Sequence, residues 1–389
     1  MKVIIALCIL FSFSSAAAQS QQDSIINKLV IATSDSIDIK SLSQSMAKML
    51  PEKMIYLKGE YHDMKSTGRS LRSIFLALHE IKGVNYMLSE YSHSYLFCYN
   101  LFLKTGDLKI LATWDDQLGL DSLSLKRYYY NMISLYKYNL KQSSSNKISF
   151  VGIDIDLQNT STRTNIQRDY LNAIKYLRKY SLRPLPGEIN DLFEKILNSN
   201  DYQILSGLTF RLKEVSKMHF PELLACFGDF YKDYYLIVNS VKQFRGVHRE
   251  EELLENFKIA FDGILKTNPD LKPRFFGNFG SYHASIEKKY SFASILDKSK
   301  DFRNNVAFIA TGYYNSLSTY DKLKPVIWQG AAITGLSSKD QLEANRLVEE
   351  TVGKVDKQLI LMGNFKQLPS GKLDFLKRYD AFLIYNGFK

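Results

Sequence analysis

The chain has 389 residues, 45% of them hydrophobic, and carries 51 Lys and Arg against 40 Asp and Glu, a formal net charge of +11. This length and hydrophobic content are typical of a packed globular protein and exclude a mainly disordered chain. The basic residues are scattered rather than gathered into a stripe or a known module, so we expect no nucleic-acid partner.

Residues 1–18 are predicted to be a secretory signal peptide. Lys2 supplies the positive start, residues 3–13 the apolar core, and the alanines at 16–18 a small-residue cleavage site. The core is too short for a membrane-spanning helix, and no later segment reaches that length. We therefore expect no integral membrane segment after signal removal, and a periplasmic or secreted location.

Two cysteines remain after removal of the signal, Cys98 and Cys226, and both lie in apolar stretches with helical character. An oxidising compartment would allow them to form a disulfide, and burial as free thiols is the alternative. The sequence leaves both interpretations open.

The first part of the mature chain predicts one half of an α/β unit. Residues 19–49 have weak helical periodicity, and the apolar run 54–57 is predicted as the first strand. Apolar residues then recur at helical intervals over 70–82, and residues 84–89 are predicted as the second strand.

The middle of the chain is predicted to be mainly helical. Residues 91–103 and 120–140 are each predicted as one helix, and 148–154 as a buried strand that ends on Asp154. Residues 160–266 are almost entirely helical in pattern, which is long for a strand crossover. We interpret this stretch as a helical insertion or cap.

Strand patterns return at 306–312, 358–362 and 380–385, without an internal repeat or a low-complexity linker. The predicted fold class is α/β, with a mostly parallel central sheet flanked by helices and a large helical insertion or cap. We expect a single α/β domain over residues 19–389, with the insertion at about 160–266.

Two copies of a Gly-x-x-His pattern follow predicted strands, at 59–62 and 280–283. A glycine just after a strand lets the backbone turn or approach a ligand closely. The histidine then lies at the carboxyl end of the strand, where the sites of parallel α/β sheets collect. His62 and His283 are therefore candidates for a general base or a metal ligand.

Acidic residues lie at the same predicted strand ends. Glu60 is inside the first Gly-x-x-His pattern, and Glu90 ends the second predicted strand. A carboxylate beside a histidine orients the ring for general-base catalysis. The two histidines and two glutamates are also sufficient for a divalent metal with an open position. The residues alone do not separate these interpretations.

A charged helix start supplies candidate substrate contacts. Arg249 and Asn256 lie seven residues apart, which places them two helical turns apart on one face. Arg249 is a candidate for binding an anion or a carbonyl group. We include Asn256 and the strand-end Asp154 among the candidate substrate-binding residues.

These motifs, in this order, resemble the erythromycin esterase-like family, within a wider group that includes the Tiki metalloproteases and haem-binding ChaN-type lipoproteins. Gly-Glu-Tyr-His at 59–62 resembles the family's opening turn, and Ser-Glu at 89–90 its second-strand glutamate. The helix start at 249–256 is similar to the family's Arg-Asp-x-x-Met-Ala-Glu-Asn helix, and 277–283 to its Gly-His-Asn-x-x-His segment. The resemblance covers most of the mature chain through scattered motifs.

The resemblance implies a hydrolase in which His62 activates water for attack on an ester or lactone carbonyl of a small-molecule substrate. Glu90 and Glu60 are then expected to orient or assist His62. Arg249 and His283 are expected to polarise or hold the carbonyl, with His283 counted among the catalytic residues. No cofactor is required in this interpretation. The wider group implies two alternatives: a haem- or other ligand-binding protein of ChaN type, and a peptidase of Tiki type that depends on a divalent metal.

Two positions depart from the family pattern. Asp63 stands where the esterases usually keep glycine, which makes the opening turn closer to that of the ChaN group. Asn278 stands where the family has an additional histidine, so one imidazole is replaced. The replaced imidazole leaves a degenerate relative with a structural role as a further alternative. The motifs therefore predict a site more firmly than they predict its reaction or substrate.

Overall fold

The computed structural model describes residues 30–34, 39–61, 65–115, 117, 119–155, 164–241, 249–314, 317–318, 326–327, 331–333, 338–354, 359–363, 365 and 374–386. Within these ranges no helix combines the length and apolar character needed to cross a membrane. The predicted signal peptide, 1–18, lies outside the described residues, and so do His62 and Asp63.

The described strands are numbered in chain order: β1 (Val30–Ser34), β2 (Ile55–Glu60), β3 (Tyr86–Ser92), β4 (Ser149–Asp154), β5 (Phe275–Gly280), β6 (Val306–Tyr314), β7 (Leu317–Ser318), β8 (Val326–Ile327), β9 (Ala331–Ile333), β10 (Leu359–Gly363) and β11 (Ala381–Asn386).

The described α-helices are α1 (Ile39–Met49), α2 (Lys65–Lys82), α3 (His93–Thr105), α4 (Leu108–Trp114), α5 (Ser122–Tyr128), α6 (Tyr130–Asn139), α7 (Thr164–Lys179), α8 (Gly187–Leu197), α9 (Tyr202–Met218), α10 (Phe220–Phe227), α11 (Tyr231–Asn239), α12 (Arg249–Thr267), α13 (Phe292–Lys298) and α14 (Ser338–Lys354).

The chain forms two compact units. Unit 1 contains the described parts of Met1–Lys82, Gly280–Lys288 and Asn305–Lys389, and unit 2 those of Gly83–Phe279 and Lys289–Asn304. Both units combine strands with helices, and the predicted fold class, α/β with a mostly parallel sheet flanked by helices, is confirmed. The prediction of one continuous domain is not tested by this division and stays a prediction.

Unit 1 contains strands in the order β1-β10-β11-β6-β2. β11, β6 and β2 pair in parallel, whereas β10 pairs antiparallel with both β1 and β11. β9 adds an antiparallel partner to the end of β6. β6 and β11 are buried along nearly their whole lengths, which explains why their sequences are continuous apolar runs.

Unit 2 contains three parallel strands in the order β5-β3-β4. Helices α3 and α12 pack against β4, α7 packs against α3, and α11 packs against α12. The stretch predicted to be helical, 160–266, holds α7 to α12 in its described parts. The helical layer therefore covers the strand that ends on Asp154.

The outer edge of β4 is paired with asparagine side chains in place of a further strand. Asn139 donates to the carbonyl of Ile148 at 2.9 Å and accepts from its N–H at 2.8 Å. Asn100 makes the same two bonds with Phe150, at 2.9 and 2.8 Å. A strand edge otherwise exposes unpaired polar groups, so these amides terminate the sheet and fix the strand.

Gly152, two residues further along β4, lies directly below the turn from β3 into α3. A Cβ on Gly152 would come within 2.6 Å of the backbone of Ser92 and His93, so only glycine permits this crossing. His93 Nδ1 accepts the Gly152 N–H at 3.1 Å. The crossing fixes the end of β3 against the end of β4.

Three local predictions were wrong, each because a contact distant in sequence outweighed the local pattern. The predicted single helix over 120–140 is split into α5 and α6 at Tyr129, a buried residue with tertiary contacts. Residues 30–34, predicted as weakly helical, form β1 because they pair with β10. The second strand runs on to Ser92 rather than ending at residue 89.

Candidate functional site

Unit 2 contains a cavity of about 780 Å³ at the carboxyl ends of β3 and β4. Its lining contains five tyrosines, one tryptophan, four carboxylates and two guanidinium groups, and is therefore both aromatic and acidic. The lining residues are Glu90, Tyr91, Ser92, Tyr95, Tyr99, Trp114, Asp115, Tyr128, Tyr129, Asn131, Met132, Asp154, Ile155, Arg168, Asp169 and Arg249. Three predicted site residues are among them, Glu90, Asp154 and Arg249, called here the strand-end group.

Glu90 lies in a β-bulge of β3. Ser89 pairs with Gly152 and Ser92 with Asp154, so three steps along β3 oppose two steps along β4. A bulge removes side chains from the regular alternation of the strand and is common beside active sites. Through this irregularity the half-buried Glu90 reaches the cavity wall.

Asp154 and Arg249 form a two-point ion pair. Arg249 Nη2 lies 2.8 Å from Asp154 Oδ2, and Arg249 Nε lies 3.3 Å from Oδ1. The Asp154 side chain is 8% exposed, whereas 43% of the Arg249 side chain is exposed. The carboxylate therefore fixes the guanidinium from the buried side, and the guanidinium keeps a surface that a ligand can contact.

The charge of Arg249 is secured by its surroundings. Burial alone would lower the pKa of Arg249, but its hydrogen bonds to Asp154 and the charges of Asp154, Glu90 and Glu250 raise the pKa above its ordinary value. The cavity therefore presents a permanent cation beside the two strand-end carboxylates.

Asn256 lies two turns into α12 and is fully buried. Its amide donates to the carbonyl of Ile153 at 3.0 Å and to that of Asp154 at 3.4 Å. Arg249 and Asn256 thus share one helix face, as predicted, and both contact the end of β4. In this position Asn256 holds the strand end, and its predicted role in substrate binding stays a prediction.

A second group in the cavity wall is a hydrogen-bonded set of tyrosines around one carboxylate. Tyr95 donates to Asp115 Oδ1 at 3.2 Å, and Tyr129 donates to Asp115 Oδ2 at 2.9 Å. The hydroxyls of Tyr95 and Tyr99 lie 2.9 Å apart. We call Tyr95, Tyr99, Asp115 and Tyr129 the tyrosine network.

The protons of the tyrosine network can be assigned from its bonds. Since the single proton of Tyr95 is donated to Asp115, Tyr99 must donate to Tyr95. Burial raises the pKa of Tyr95, Tyr99 and Tyr129, and the charge of Asp115 raises it further, so all three hydroxyls keep their protons.

Sequence patterns did not predict the tyrosine network, because its members come from separate helices and share no motif. The one available signal was the abundance of tyrosine, 25 residues in the chain, which does not say which of them meet. Asp115 follows the last residue of α4, and Tyr129 lies at the break between α5 and α6. Both positions depend on the tertiary fold.

A network of largely buried side chains supports β4 and was also missed by the sequence patterns. His93 Nε2 lies 3.0 Å from Asp233 Oδ1, Asn100 donates to the same oxygen at 2.7 Å, and Lys232 Nζ lies 2.8 Å from Asp233 Oδ2. Because His93 Nδ1 accepts from Gly152, its proton is on Nε2 and is donated to the carboxylate.

The Asp233 carboxylate is charged despite its burial. Burial would raise the pKa of Asp233, but the charge of Lys232 and the hydrogen bonds from His93 and Lys232 together lower it to about 2. The carboxylate therefore orients two of the three side chains that pair with the outer edge of β4, Asn100 and His93.

The remaining predicted catalytic residues lie in unit 1 or outside the described residues. Glu60 is the last residue of β2 and is half-buried. His283 lies in the turn after β5, with its ring centre 5.7 Å from that of Tyr282 at an angle of 89°. His62 is not among the described residues. The catalytic roles of Glu60, His62 and His283 therefore stay predictions.

Unit 1 also contains a buried lysine, and the sequence patterns did not predict its burial. Lys58, two residues before Glu60 on β2, is fully buried, with its Nζ 4.0 Å from Glu60 Oε2 and 5.8 Å from the Tyr385 ring centre. Burial lowers the pKa of Lys58 to about 8, against the opposing effect of the Glu60 charge.

Cys98 and Cys226 are buried free thiols. Within the described ranges, no group of three or more His, Cys, Asp and Glu side chains is arranged to hold a metal ion. His62, which both predicted interpretations need, lies outside the described residues, so a metal site and a metal-free base at His62 both stay predictions.

No protein-family model matches the chain. An uncharacterised protein of Borreliella burgdorferi is 28% identical over 148 residues, which cover 36% of this chain. This chain spans about 14% of the length of that curated relative.

Solved structures with similar folds were found despite low sequence identity. A Bacillus cereus protein is 12% identical, with a TM-score of 0.57 and coverage of 94% of this chain and 97% of that chain. A succinoglycan biosynthesis protein is 13% identical, with a TM-score of 0.55 and the same coverage. An erythromycin esterase in its open conformation has a TM-score of 0.48 at 12% identity, covering 92% and 97% of the two chains. The chain is thus similar in fold, over nearly its whole length, to the first two of these structures.

Proposed function

We propose that the protein is an exported hydrolase of the erythromycin esterase-like group that cleaves an ester or lactone bond in a small molecule. The observation that carries the proposal is the convergence of Glu90, Asp154 and Arg249, from three elements, on one cavity at the carboxyl ends of parallel strands. The ordered motifs of the sequence support the family, and the fold of the solved structures is compatible with it.

In this proposal Arg249 stabilises the charge that develops on the substrate carbonyl oxygen. Asp154 and Asn256 act as positioning residues, because one fixes the guanidinium and the other fixes the strand end. A guanidinium already held in place loses little entropy when it binds the oxyanion. Glu90, half-buried beside this cation, is the carboxylate that accepts or orients a proton.

We assign water activation to His62, as the resemblance to the esterases implies. The imidazole takes a proton from water as the oxygen attacks the carbonyl carbon, giving a tetrahedral oxyanion. Collapse of that intermediate breaks the bond to the leaving oxygen, which takes the proton back from the imidazolium. Glu60 and His283 are proposed to assist as the motifs imply. No cofactor enters this reaction.

The test is hydrolysis of a panel of p-nitrophenyl esters and lactones by the mature chain, residues 19–389. On any substrate that wild type accepts, we expect His62→Ala and Arg249→Ala each to lower kcat/KM by roughly 100-fold or more. The matched control is His219→Ala, which removes a partly exposed imidazole paired with Glu222 away from the cavity lining. Wild-type kinetics in the His62→Ala variant would overturn the assignment of the base.

A second candidate is a ligand-binding protein without catalysis, and the tyrosine-rich cavity favours it. A haem titration of the wild-type chain tests the ChaN-type form, since bound haem gives a Soret band that His62→Ala should remove. Loss of hydrolysis on chelation, together with metal in the purified protein, would instead favour the metal-dependent peptidase.

Export is tested by fractionating cells that express the full chain, since a cleaved signal predicts a periplasmic or secreted product.

A further inference from the structure

In the tyrosine network each hydroxyl proton is already donated within the network, so the oxygen atoms can only accept further hydrogen bonds. Every tyrosine hydroxyl in it has one proton, and each proton is already donated: Tyr99 to Tyr95, and Tyr95 and Tyr129 to Asp115. The phenolic oxygens keep lone pairs, and an ionised carboxylate only accepts. A ligand group that donates several hydrogen bonds and accepts none therefore complements this part of the wall.

The charge of the tyrosine network also favours a ligand of this kind, one that carries a positive charge. In the strand-end group the carboxylate of Asp154 is neutralised by Arg249 at 2.8 Å. Asp115 is held by two neutral hydroxyls, and no lysine, arginine or histidine among the described residues forms an ion pair with it. One negative charge in the cavity wall is thus left without a cation from the described part of the protein.

The aromatic rings around the network form an angled wall rather than a flat slot. Tyr91 and Tyr95 have ring centres 5.0 Å apart at 36°, and Tyr95 and Tyr99 5.5 Å apart at 77°. Tyr128 and Tyr129 meet at 76° with centres 4.8 Å apart. Rings at such angles present faces and edges from several directions, which suits a compact cation more than a planar ligand.

We infer that the tyrosine network binds a protonated amine, with the ammonium group at Asp115 and the tyrosine oxygens. An alkylammonium has N–H donors and no acceptor, carries the charge that Asp115 lacks, and is attracted to the faces of the surrounding rings. If the amine is a group of the substrate, this inference rests on the proposed function, because the strand-end group lines the same cavity. As a binding property it is independent of catalysis.

The test is calorimetric binding of benzylammonium, with benzyl alcohol as the uncharged probe of the same shape, to the wild-type mature chain at pH 7. We expect benzylammonium to bind about tenfold tighter or more than benzyl alcohol. Equal affinities for the two probes, or no binding of benzylammonium at millimolar concentration, would overturn the inference.

Variants locate the binding. Asp115→Asn keeps the shape of the side chain and should reduce benzylammonium affinity about tenfold with little change for benzyl alcohol. Tyr129→Phe, a second variant, removes one hydroxyl oxygen and leaves the ring. It should reduce benzylammonium affinity less than Asp115→Asn does. The control is Asp229→Asn, which removes an 89% exposed carboxylate outside this cavity and should leave affinity unchanged. Circular dichroism confirms that each variant is folded, and unaltered amine binding by folded Asp115→Asn would contradict the assignment.

The outcomes separate this inference from the proposed function. Amine binding that depends on Asp115, with no hydrolysis of any ester or lactone, would support the amine site and contradict the proposed hydrolase. Hydrolysis that depends on Arg249, with no preference for the charged probe, would support the hydrolase and contradict the amine site. If both hold, substrates that carry an amine should have lower KM values than matched neutral esters, and Asp115→Asn should abolish that difference.

Discussion

Strands β4 and β2 both end in a carboxylate with a basic side chain nearby, yet the two pairs have different properties. At the end of β4, Asp154 is joined to Arg249 by two bonds, of which the shorter is 2.8 Å. At the end of β2, Glu60 Oε2 lies 4.0 Å from the fully buried Lys58 Nζ, whose pKa is lowered to about 8. The pKa of Arg249 is raised above its ordinary value, whereas burial lowers the pKa of Lys58 toward neutral pH.

The difference follows from the type of cation and from what supports it. A guanidinium stays charged and binds a carboxylate through a planar fork, and α12 delivers it to a strand that side chains hold in place. The ammonium of Lys58 is carried by the strand itself, and burial lowers its pKa although the charge of Glu60 raises it. The β4 end is therefore suited to positioning a ligand, and the β2 end to exchanging a proton.

The largest effect is expected from removing the buried support of β4. Asp233→Ala leaves the N–H groups of His93 and Asn100 and the charge of Lys232 without their carboxylate. We expect the free energy of unfolding at pH 7 to fall by roughly 3–5 kcal/mol, measured by urea denaturation. Asp229→Ala, at an exposed ion pair with Lys104, should cost less than about 1 kcal/mol.

The difference in the free energy of unfolding between wild type and Asp233→Ala should change with pH in a definite direction. The pKa of Asp233 is about 2 in the folded protein and 3.8 ordinarily, so the folded state favours the ionised form. The resulting stability is fully present above pH 4 and is lost as the pH falls toward 2. The gap between wild type and Asp233→Ala should therefore narrow over this range, and a constant gap would contradict a charged Asp233.

The next effect concerns the ion pair at the end of β4. Arg249→Met should lower kcat/KM roughly 100-fold on an accepted ester, because the oxyanion loses its cation. Arg249→Lys keeps the charge but not the fork and should fall between wild type and Arg249→Met. Arg211→Met, at an exposed pair with Glu188, is the control and should stay within about twofold of wild type. Equal rates for wild type and Arg249→Met would assign Arg249 a structural role alone.

The smallest effect, and the one of opposite sign, is expected at β2. Lys58→Met fills the same space without a charge and should stabilise the protein by roughly 1–2 kcal/mol at pH 7. The exposed pair of Lys217 with Glu214 offers a control, Lys217→Met, with an expected change below about 0.5 kcal/mol. Destabilisation by Lys58→Met would show that the lysine is compensated more fully than its lowered pKa indicates.

This gain should also depend on pH. The pKa of Lys58 is about 8 in the folded protein and 10.5 ordinarily, so the unfolded chain binds the proton more tightly. The penalty is complete below pH 8 and disappears as the pH rises toward 10.5, so wild type gains stability over this window. Urea denaturation at intervals from pH 7 to pH 9.5 should show the advantage of Lys58→Met shrinking as the pH rises.

The sequence was sufficient for the fold class and for part of the site. Apolar runs predicted β2, β4, β6 and β11, because buried parallel strands are continuous in hydrophobicity. The strand pattern also predicted Asp154 at a strand end, and helical spacing predicted Arg249 and Asn256 on one helix face. The structure brings the three residues into contact, which the sequence did not predict. These signals are local or follow from the geometry of parallel sheets.

Non-local features could not be predicted in this way. The bulge at Glu90 depends on the register between β3 and β4, and the role of Asp233 depends on where α11 packs. The tyrosine network joins helices with no common motif, and the lowered pKa of Lys58 reflects burial rather than sequence context. Each of these requires knowledge of which elements are neighbours.

The most direct test of a hydrolytic site at the ends of β3 and β4 is the kinetics of Glu90→Gln on the best accepted ester. This substitution keeps the size of the side chain and removes its charge and proton affinity. We predict a fall in kcat/KM of roughly 100-fold or more, with unfolding free energy within about 1 kcal/mol of wild type. Glu214→Gln, an exposed residue paired with Lys217, should keep wild-type kinetics. A folded Glu90→Gln protein with wild-type kcat/KM would contradict a catalytic role for this cavity.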